Sequence, residues 1–503
     1  MERDATIVAS MSAAPSHSGS QLRALARDAD WLHVRAELCG DLDPDWLRDH
    51  FRGQLLYSLA RRAATAEFDC SDDARRERLL WAARCFDLVE LEAPHDLTPD
   101  ILDHIPPSKR LVAWRGIADD VGVLGRRFEQ MAAVEARVYK LVCTARRPAD
   151  ELVPLAFLAS LGRDDTLAYA EGATGFWSRL IAPHLGCSMI FARLGDEPLP
   201  ADVPSVAQLV RDYGLPRLSR PRELFGIVGN SVLQSLSPRL HNAGYRALGR
   251  AALYFPFHVE SFGTFWDDVV GDPLFETLGM AFKGFTVASP HKEAAEGMAL
   301  RSTEIVRRSA SCNVVRSANG AWTSETTDPQ GVLDCLRASG LSVRGKRAAV
   351  VGCGGAGRPI AAALAAAGSE VTLVNRSLAR GRWAERILGL PFVPLDEFSV
   401  SDVSIVVHAT PLGSRETDPL PFDPEGLSRD AVLIDLVYAS QPTPLASRAR
   451  ARGCHVFDGY DVLLFQVGRQ FELMTGSELP AALARGLLNP DPARSQRRLR
   501  VGP

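Results

Sequence analysis

The segment Gly352-Cys353-Gly354-Gly355-Ala356-Gly357 follows an apolar run, Arg347-Ala348-Ala349-Val350-Val351, and precedes an alanine-rich stretch, Ile360 to Ala367. Glycines at 352, 354, 355 and 357, with Ala356 among them, let a backbone approach a pyrophosphate. The helix that starts there offers unpaired N–H groups and the positive end of a dipole. A second apolar run ends in Asn375-Arg376-Ser377, with Arg380 and Arg382 beyond it. A carboxylate at this point would bind a free ribose hydroxyl and favour NAD. Here cations replace it, and an arginine can stack on adenine and pair a 2′-phosphate, so NADP is the cofactor expected. The chemistry expected is hydride transfer.

Other residues could hold what is reduced. Ser235-Leu236-Ser237-Pro238 places two hydroxyls just before a helix that Pro238 can open. They could bind a hydroxylated or carboxylated small molecule; the same pattern also serves as an ordinary helix cap. Lys292 follows a strand and Pro290, while Asn313 and Asp328 supply an amide and a carboxylate. A lone lysine is commonly a solvated surface group, so these three gain meaning only in company.

The elements that must position these groups make an α/β protein. Short apolar runs at 6–11, 31–36, 54–59, 88–91, 110–114, 138–142, 166–170 and 188–192 alternate with helix-length segments, which predicts a parallel β/α barrel. The expected organisation is a barrel over 1–215, a proline-bearing linker over 216–223 and a substrate domain over 224–335. A Rossmann-type NADP domain over 336–458, returning helices over 459–488 and a disordered basic tail over 489–503 complete it.

At 503 residues, with a net charge of -4, the chain gives no reason to expect nucleic acid or an anionic membrane as partner. No apolar run reaches the eighteen or so residues that a membrane span needs. Nine scattered cysteines without metal-ligand spacing read as reduced thiols in a cytoplasmic protein, with no metal site.

Taken in order, the motifs of residues 224 to about 479 resemble shikimate dehydrogenases. The resemblance rests on Ser235-Leu236-Ser237-Pro238, Pro290-His291-Lys292-Glu293, Asn313, Thr327-Asp328, the glycine loop, Asn375-Arg376-Ser377, Ala409-Thr410-Pro411-Leu412-Gly413, Asp435-Leu436-Val437-Tyr438 and the segment from Gly459 to Gln466. It implies reversible hydride transfer between NADPH and 3-dehydroshikimate, a small-molecule substrate. Lys292 and Asp328 would form the catalytic pair, with Ser235 and Ser237 on the substrate carboxylate. Asn313, Tyr438 and Gln466 would line the pocket, and Leu436 and Gly459 would lie near the nicotinamide. Four positions depart from the family pattern: Gln234, Thr286, Ala288 and Thr326 stand where it has His, Asn, Thr and Asn. Losing one hydrogen bond to a substrate hydroxyl costs on the order of 1–3 kcal/mol, so the departures could slow shikimate turnover or signal quinate.

Residues 1–215 resemble type I 3-dehydroquinate dehydratases more loosely. The local evidence is Val34-Arg35-Ala36-Glu37-Leu38, Asp87-Leu88-Val89-Glu90-Leu91, Tyr139-Lys140-Leu141 and Glu171-Gly172 ahead of Ser178-Arg179-Leu180. The resemblance makes Lys140 the Schiff-base lysine and Arg35 and Arg179 substrate-side arginines. The family's histidine position falls at Arg115, and His33, Ala60, Ala64, Asp202 and Val206 replace its other polar groups. An arginine, with a pKa above about 12, cannot shuttle protons near neutral pH. The expectation is a barrel that has lost dehydration, unless another base such as His33 serves. A working bifunctional enzyme and a non-catalytic ligand-binding regulator are the competing readings.

Overall fold

The computed structural model describes all residues except 1–2, 15–18, 26, 62–69, 173, 196–202, 319, 416, 438–440 and 489–503. Tyr438, Ala64, Asp202 and the basic tail lie outside the described residues. The chain divides into two compact units.

The first unit, residues 1–223 with 249–259 and 264–281, is built on a near-closed, eight-stranded parallel barrel. Its strands are Thr6–Met11, Trp31–Arg35, Gln54–Ser58, Leu88–Glu92, Arg110–Gly116, Val138–Thr144, Thr166–Glu171 and Met189–Arg193. Side chains alternate across each strand. In Val138–Thr144, Tyr139 packs edge-on against Phe128 of the helix Val121–Ala132, with ring centroids 5.5 Å apart. Its neighbour Lys140 therefore faces the barrel interior. The expected linker is partly strand: Arg217–Leu218 pairs antiparallel with Arg3–Asp4, a pairing too short for any hydrophobic pattern to announce. The unit also takes in two segments expected to belong downstream. The reason is apolar: Phe255, Phe257 and Phe275 stand 6.1, 5.6 and 5.7 Å from the buried ring of Trp177.

The second unit holds 224–248, 260–263 and 282–503. Its six-stranded parallel sheet runs Phe392–Pro394, Glu370–Asn375, Arg347–Val351, Ile405–His408, Val432–Asp435, His455–Phe457. The order reverses beside Arg347–Val351, and in such sheets ligands bind outside the strand carboxyl ends at that point. Both faces are buried. Ala348 and Val350 belong to one apolar core, while Ala349 and Val351 belong to the other. This explains the uninterrupted apolar run in the sequence. A second sheet carries Glu223–Gly229, Ala281–Val287, Val314–Ala318, Ala321–Glu325 and Arg301–Ser302 as successive neighbours. The helix Asp328–Ala338 packs on Gly459–Thr475. A Cβ at Gly331 would lie 2.7 Å from Gln466 Cγ, so glycine there allows these helices their close approach.

Candidate functional site

The glycine loop joins the strand Arg347–Val351 to the helix Gly357–Ala366. Gly352 has φ +114° and a Cβ there would meet the Ala409 carbonyl oxygen at 2.6 Å; one at Gly357 would sit 1.8 Å from the Gly352 oxygen. Gly354 differs, with nothing within 4 Å of its would-be Cβ. The loop is thus closed on its protein side and open where a phosphate would approach a helix N-terminus, which fits a dinucleotide.

Asn375 ends the neighbouring strand. Its Oδ1 accepts from Cys353 N at 3.1 Å and its Nδ2 donates to the Ser377 carbonyl at 2.9 Å. Ser377 caps the helix Leu378–Leu388, its hydroxyl accepting from Arg380 N at 3.4 Å. Arg376 is exposed and forms no ion pair among the described residues, leaving its guanidinium available. Arg380 reaches Glu293 at 3.3 Å and Arg382 reaches Glu385 at 2.9 Å. Leu436 N donates to the His408 carbonyl, and Gly459 opens the helix that carries Gln466.

The expected chemical pair is assembled against this loop. Lys292 Nζ lies 2.5 Å from Asp328 Oδ2, with the side chains 16% and 5% exposed. The other oxygen, Oδ1, accepts from Asn313 Nδ2 at 2.8 Å and Gln466 Nε2 at 3.0 Å. Asn313 Oδ1 in turn accepts from Thr327 N at 2.8 Å. The carboxylate is therefore fixed by three donors and aims one oxygen at the ammonium. A Cβ at Gly355 would lie 2.8 Å from Lys292 Cβ, so the loop and the lysine touch. Ser237 is buried in the first turn of Ser237–Ala247, and its N–H donates to Ser235 Oγ at 3.2 Å. The hydroxyl of Thr326, one of the departures from the family pattern, is buried without a partner among the described residues.

Several residues of this site escape sequence reading. Arg358, fully buried, donates to the carbonyls of Ser309, Cys353 and Ala310, stacks over Trp383, and pairs Glu293 at 2.9 Å. With the Ser311 hydroxyl on the Gly355 carbonyl at 2.7 Å, it fastens the loop to the lysine's segment. The only local signal is an arginine one residue beyond the last loop glycine. Gln470 Nε2 likewise donates to the Thr327 hydroxyl at 3.2 Å.

The barrel interior has its own lysine. Lys140 is sealed, its side chain 0% exposed; it pairs with Glu90 and lies 4.4 Å from the Phe191 ring centroid. Burial pulls its pKa down to about 8, against the opposing pull of Glu90. Arg115 bridges Glu90 at 3.5 Å and Glu171 at 3.2 Å, and Arg179 pairs Glu171 at 3.1 Å. Arg35 is turned to Glu37 at 3.0 Å. His33, the alternative base, stands between Ser10 Oγ at 3.0 Å and Ser58 Oγ at 2.8 Å. Burial drives its pKa well below 6.5, with Glu90 opposing, so it stays neutral with both ring nitrogens engaged. Glu90 and Glu171, to which sequence reading assigned no role, are the partners that hold this interior together.

Burial raises the pKa of both carboxylates, but Lys140 and Arg115 at Glu90, and Arg115 and Arg179 at Glu171, outweigh it and hold each at about 2. An unfolded chain takes up these protons near 4.5. Their contribution to stability is therefore complete above that pH and is lost as pH falls toward 2. Acid unfolding followed by circular dichroism is expected to steepen in this window, and Glu171→Gln, which removes one titrating group, to make the fall shallower. An unchanged profile would argue against the pairing.

Comparison with known proteins gives the same two parts. The model of type I 3-dehydroquinase matches residues 21–217, and that of the shikimate dehydrogenase substrate binding domain matches 227–315. A shikimate dehydrogenase (NADP(+)) of Halobacterium salinarum is 32% identical over 268 residues, 53% of this chain and 98% of the relative. That of Methanothrix thermoacetophila is 33% identical over 262 residues, covering 51% and 93%. Among solved structures, shikimate dehydrogenase from Aquifex aeolicus is similar at 28% identity and TM-score 0.49, covering 53% of this chain and 97% of the other. The dehydroquinate dehydratase and shikimate dehydrogenase of S. pombe is similar at 20% identity and TM-score 0.44, covering 97% and 98%. Among the described residues no helix is long and apolar enough to cross a membrane. The chain belongs to the shikimate dehydrogenase family, with a type I 3-dehydroquinase barrel ahead of the dehydrogenase part.

Proposed function

We propose that residues 224–488 catalyse the reversible, NADP-dependent reduction of 3-dehydroshikimate to shikimate, and that the barrel of residues 1–215 no longer dehydrates 3-dehydroquinate. The observation that carries the first part is the Lys292–Asp328 pair held against the glycine loop at Gly355. NADPH, when bound, supplies the hydride. The backbone of Gly352, Gly354, Gly355, Ala356 and Gly357 would hold its pyrophosphate, and Arg376 its 2′-phosphate. As hydride arrives, the substrate carbonyl oxygen gains negative charge and needs a proton. Lys292 Nζ donates it, and Asp328, 2.5 Å away, holds that nitrogen in place beforehand. Asn313 and Gln466 occupy the other carboxylate oxygen, so the pair enters the reaction already oriented. Ser235 and Ser237 hold the substrate carboxylate.

Oxidation of shikimate and of quinate, followed by NADPH formation, tests this reading. Turnover of shikimate at the higher kcat/KM is expected; a preference for quinate would move the assignment to that acid, and turnover of neither would defeat it. Cofactor choice gives a further prediction. A hydrogen bond to a charged group contributes about 1.5–3 kcal/mol, so Arg376→Glu is expected to weaken NADP at least about tenfold and to favour NAD. Unchanged relative kcat/KM values for the two cofactors would count against Arg376.

For the barrel, the supporting observations are the sealed Lys140, the neutral His33 and the arginine at 115. A positioned acid–base group contributes about 10²–10⁴-fold, and among the described residues none faces Lys140 in a form able to cycle a proton near neutral pH. The full chain is expected to leave 3-dehydroquinate unchanged, as measured by appearance of the conjugated enone. Turnover within tenfold of an intact dehydratase would defeat this part.

A further inference from the structure

We propose that the carboxyl-end mouth of the barrel is an anion site filled by the chain's own Glu171, and that removing this carboxylate opens it to a small keto acid within reach of Lys140. Beyond the loss of dehydration, the mouth then has a defined occupant, Glu171, and a defined class of replacement.

The geometry is that of a bound carboxylate. Glu171 Oε2 accepts from Arg115 Nη1 at 3.2 Å, and Oε1 accepts from Arg179 Nη2 at 3.1 Å. Two guanidiniums sharing one carboxylate is a strong, directional way to hold such a group. Arg179 is built in rather than drawn from the surface. Its side chain is 1% exposed, its guanidinium lies 4.2 Å from the Tyr169 ring centroid, and its Nη1 donates to the Phe191 carbonyl at 3.1 Å. Arg115 also reaches Glu90, which pairs with Lys140. Three cations, Lys140, Arg115 and Arg179, thus share two carboxylates, and Glu171 is the outer one, 33% exposed against 10% for Glu90.

Strand register explains the placement. Thr144 pairs with Glu171, and Arg115 with Val142, so both groups end their strands on the face where barrel enzymes bind ligands. The backbone at Glu171 is fixed by the Ala145 N–H on its carbonyl at 2.8 Å. The carboxylate can therefore be removed while the strand stays in place. Without it, three cations share one carboxylate, and a mobile carboxylate restores the balance. A ketone on that ligand can then meet the Lys140 amine. The nitrogen adds to the carbonyl carbon, the oxygen leaves as water, and an imine forms that borohydride reduces to a stable secondary amine by adding hydride to carbon.

The test uses the full chain with 3-dehydroquinate and sodium borohydride, read by intact mass and peptide mapping. Wild-type protein is expected to stay essentially unlabelled. Glu171→Gln is expected to gain at least tenfold more adduct at Lys140, Lys140→Met in that background to abolish it, and quinate, a carboxylate without a ketone, to protect. Glu171→Ala provides a second opening variant, and a thermal melt by circular dichroism that keeps every transition of the wild type reports that the barrel of either variant is folded. Folded Glu171→Gln and Glu171→Ala proteins without adduct would overturn the proposal, as would equal labelling of the wild type. Dehydration by the wild type without borohydride is a separate result, and it bears on the barrel's assigned inactivity.

Discussion

Lys292→Met lowers the rate of shikimate oxidation by about 10²–10⁴-fold, the usual contribution of a positioned acid–base group, with little change in KM for shikimate or NADP. Methionine fills similar space without an ammonium, so packing against Gly355 is kept. What is lost is the donor that lies 2.5 Å from Asp328. Interactions made only in the transition state appear in kcat, whereas uniform binding appears in KM. Steady-state kinetics therefore separates a proton donor from a binding residue. A raised KM with kcat preserved would make Lys292 a substrate-holding group. Asp328→Asn is expected to lose rate as well, because the ammonium then faces a neutral amide. Its Asn313 and Gln466 contacts can persist only through the amide oxygen.

Gly357→Ala is the second large effect. The new methyl group would sit 1.8 Å from the Gly352 carbonyl oxygen, a distance no pair of atoms tolerates, so the loop must open. Overpacking of this kind costs about 1–3 kcal/mol or more. The melting temperature of the dehydrogenase unit is expected to fall, and the KM for NADP to rise by at least about tenfold, since a 1.4 kcal/mol loss of binding already gives that factor. Gly354→Ala is the informative contrast. Nothing lies within 4 Å of its Cβ, so thermal stability is expected to hold while the methyl group intrudes where the cofactor approaches. Scanning calorimetry with cofactor titration reads both. Equal melting losses in the two variants would mean that Gly354 serves the fold and leave the open face of the loop unexplained.

The parallel elements were legible because their faces are buried. Eight apolar runs at helix-length spacing become the eight barrel strands, most of them shifted or extended by only one or two residues. The glycine loop was legible because strand, turn and helix are contiguous. Arg217–Leu218 was not, since two residues paired with Arg3–Asp4 carry no period. Nor was the attachment of Phe255, Phe257 and Phe275 to Trp177, because an aromatic residue in a strand does not say which ring it will meet.

The sequence by itself determined the classes of chemistry: a dinucleotide loop followed by cations rather than a carboxylate, a resemblance that pairs Lys292 with Asp328, and a barrel lysine whose expected histidine is an arginine. Tertiary structure alone decided how those groups are held. Gln466 reaches Asp328 across 138 residues because Gly331 lets two helices approach. Glu171 spans to Arg115 across 56 residues because strand register brings both to one mouth. Local patterns record which side of a helix or strand is buried. They do not record which distant side chain completes a charge or a hydrogen bond, since that depends on where the folded chain returns.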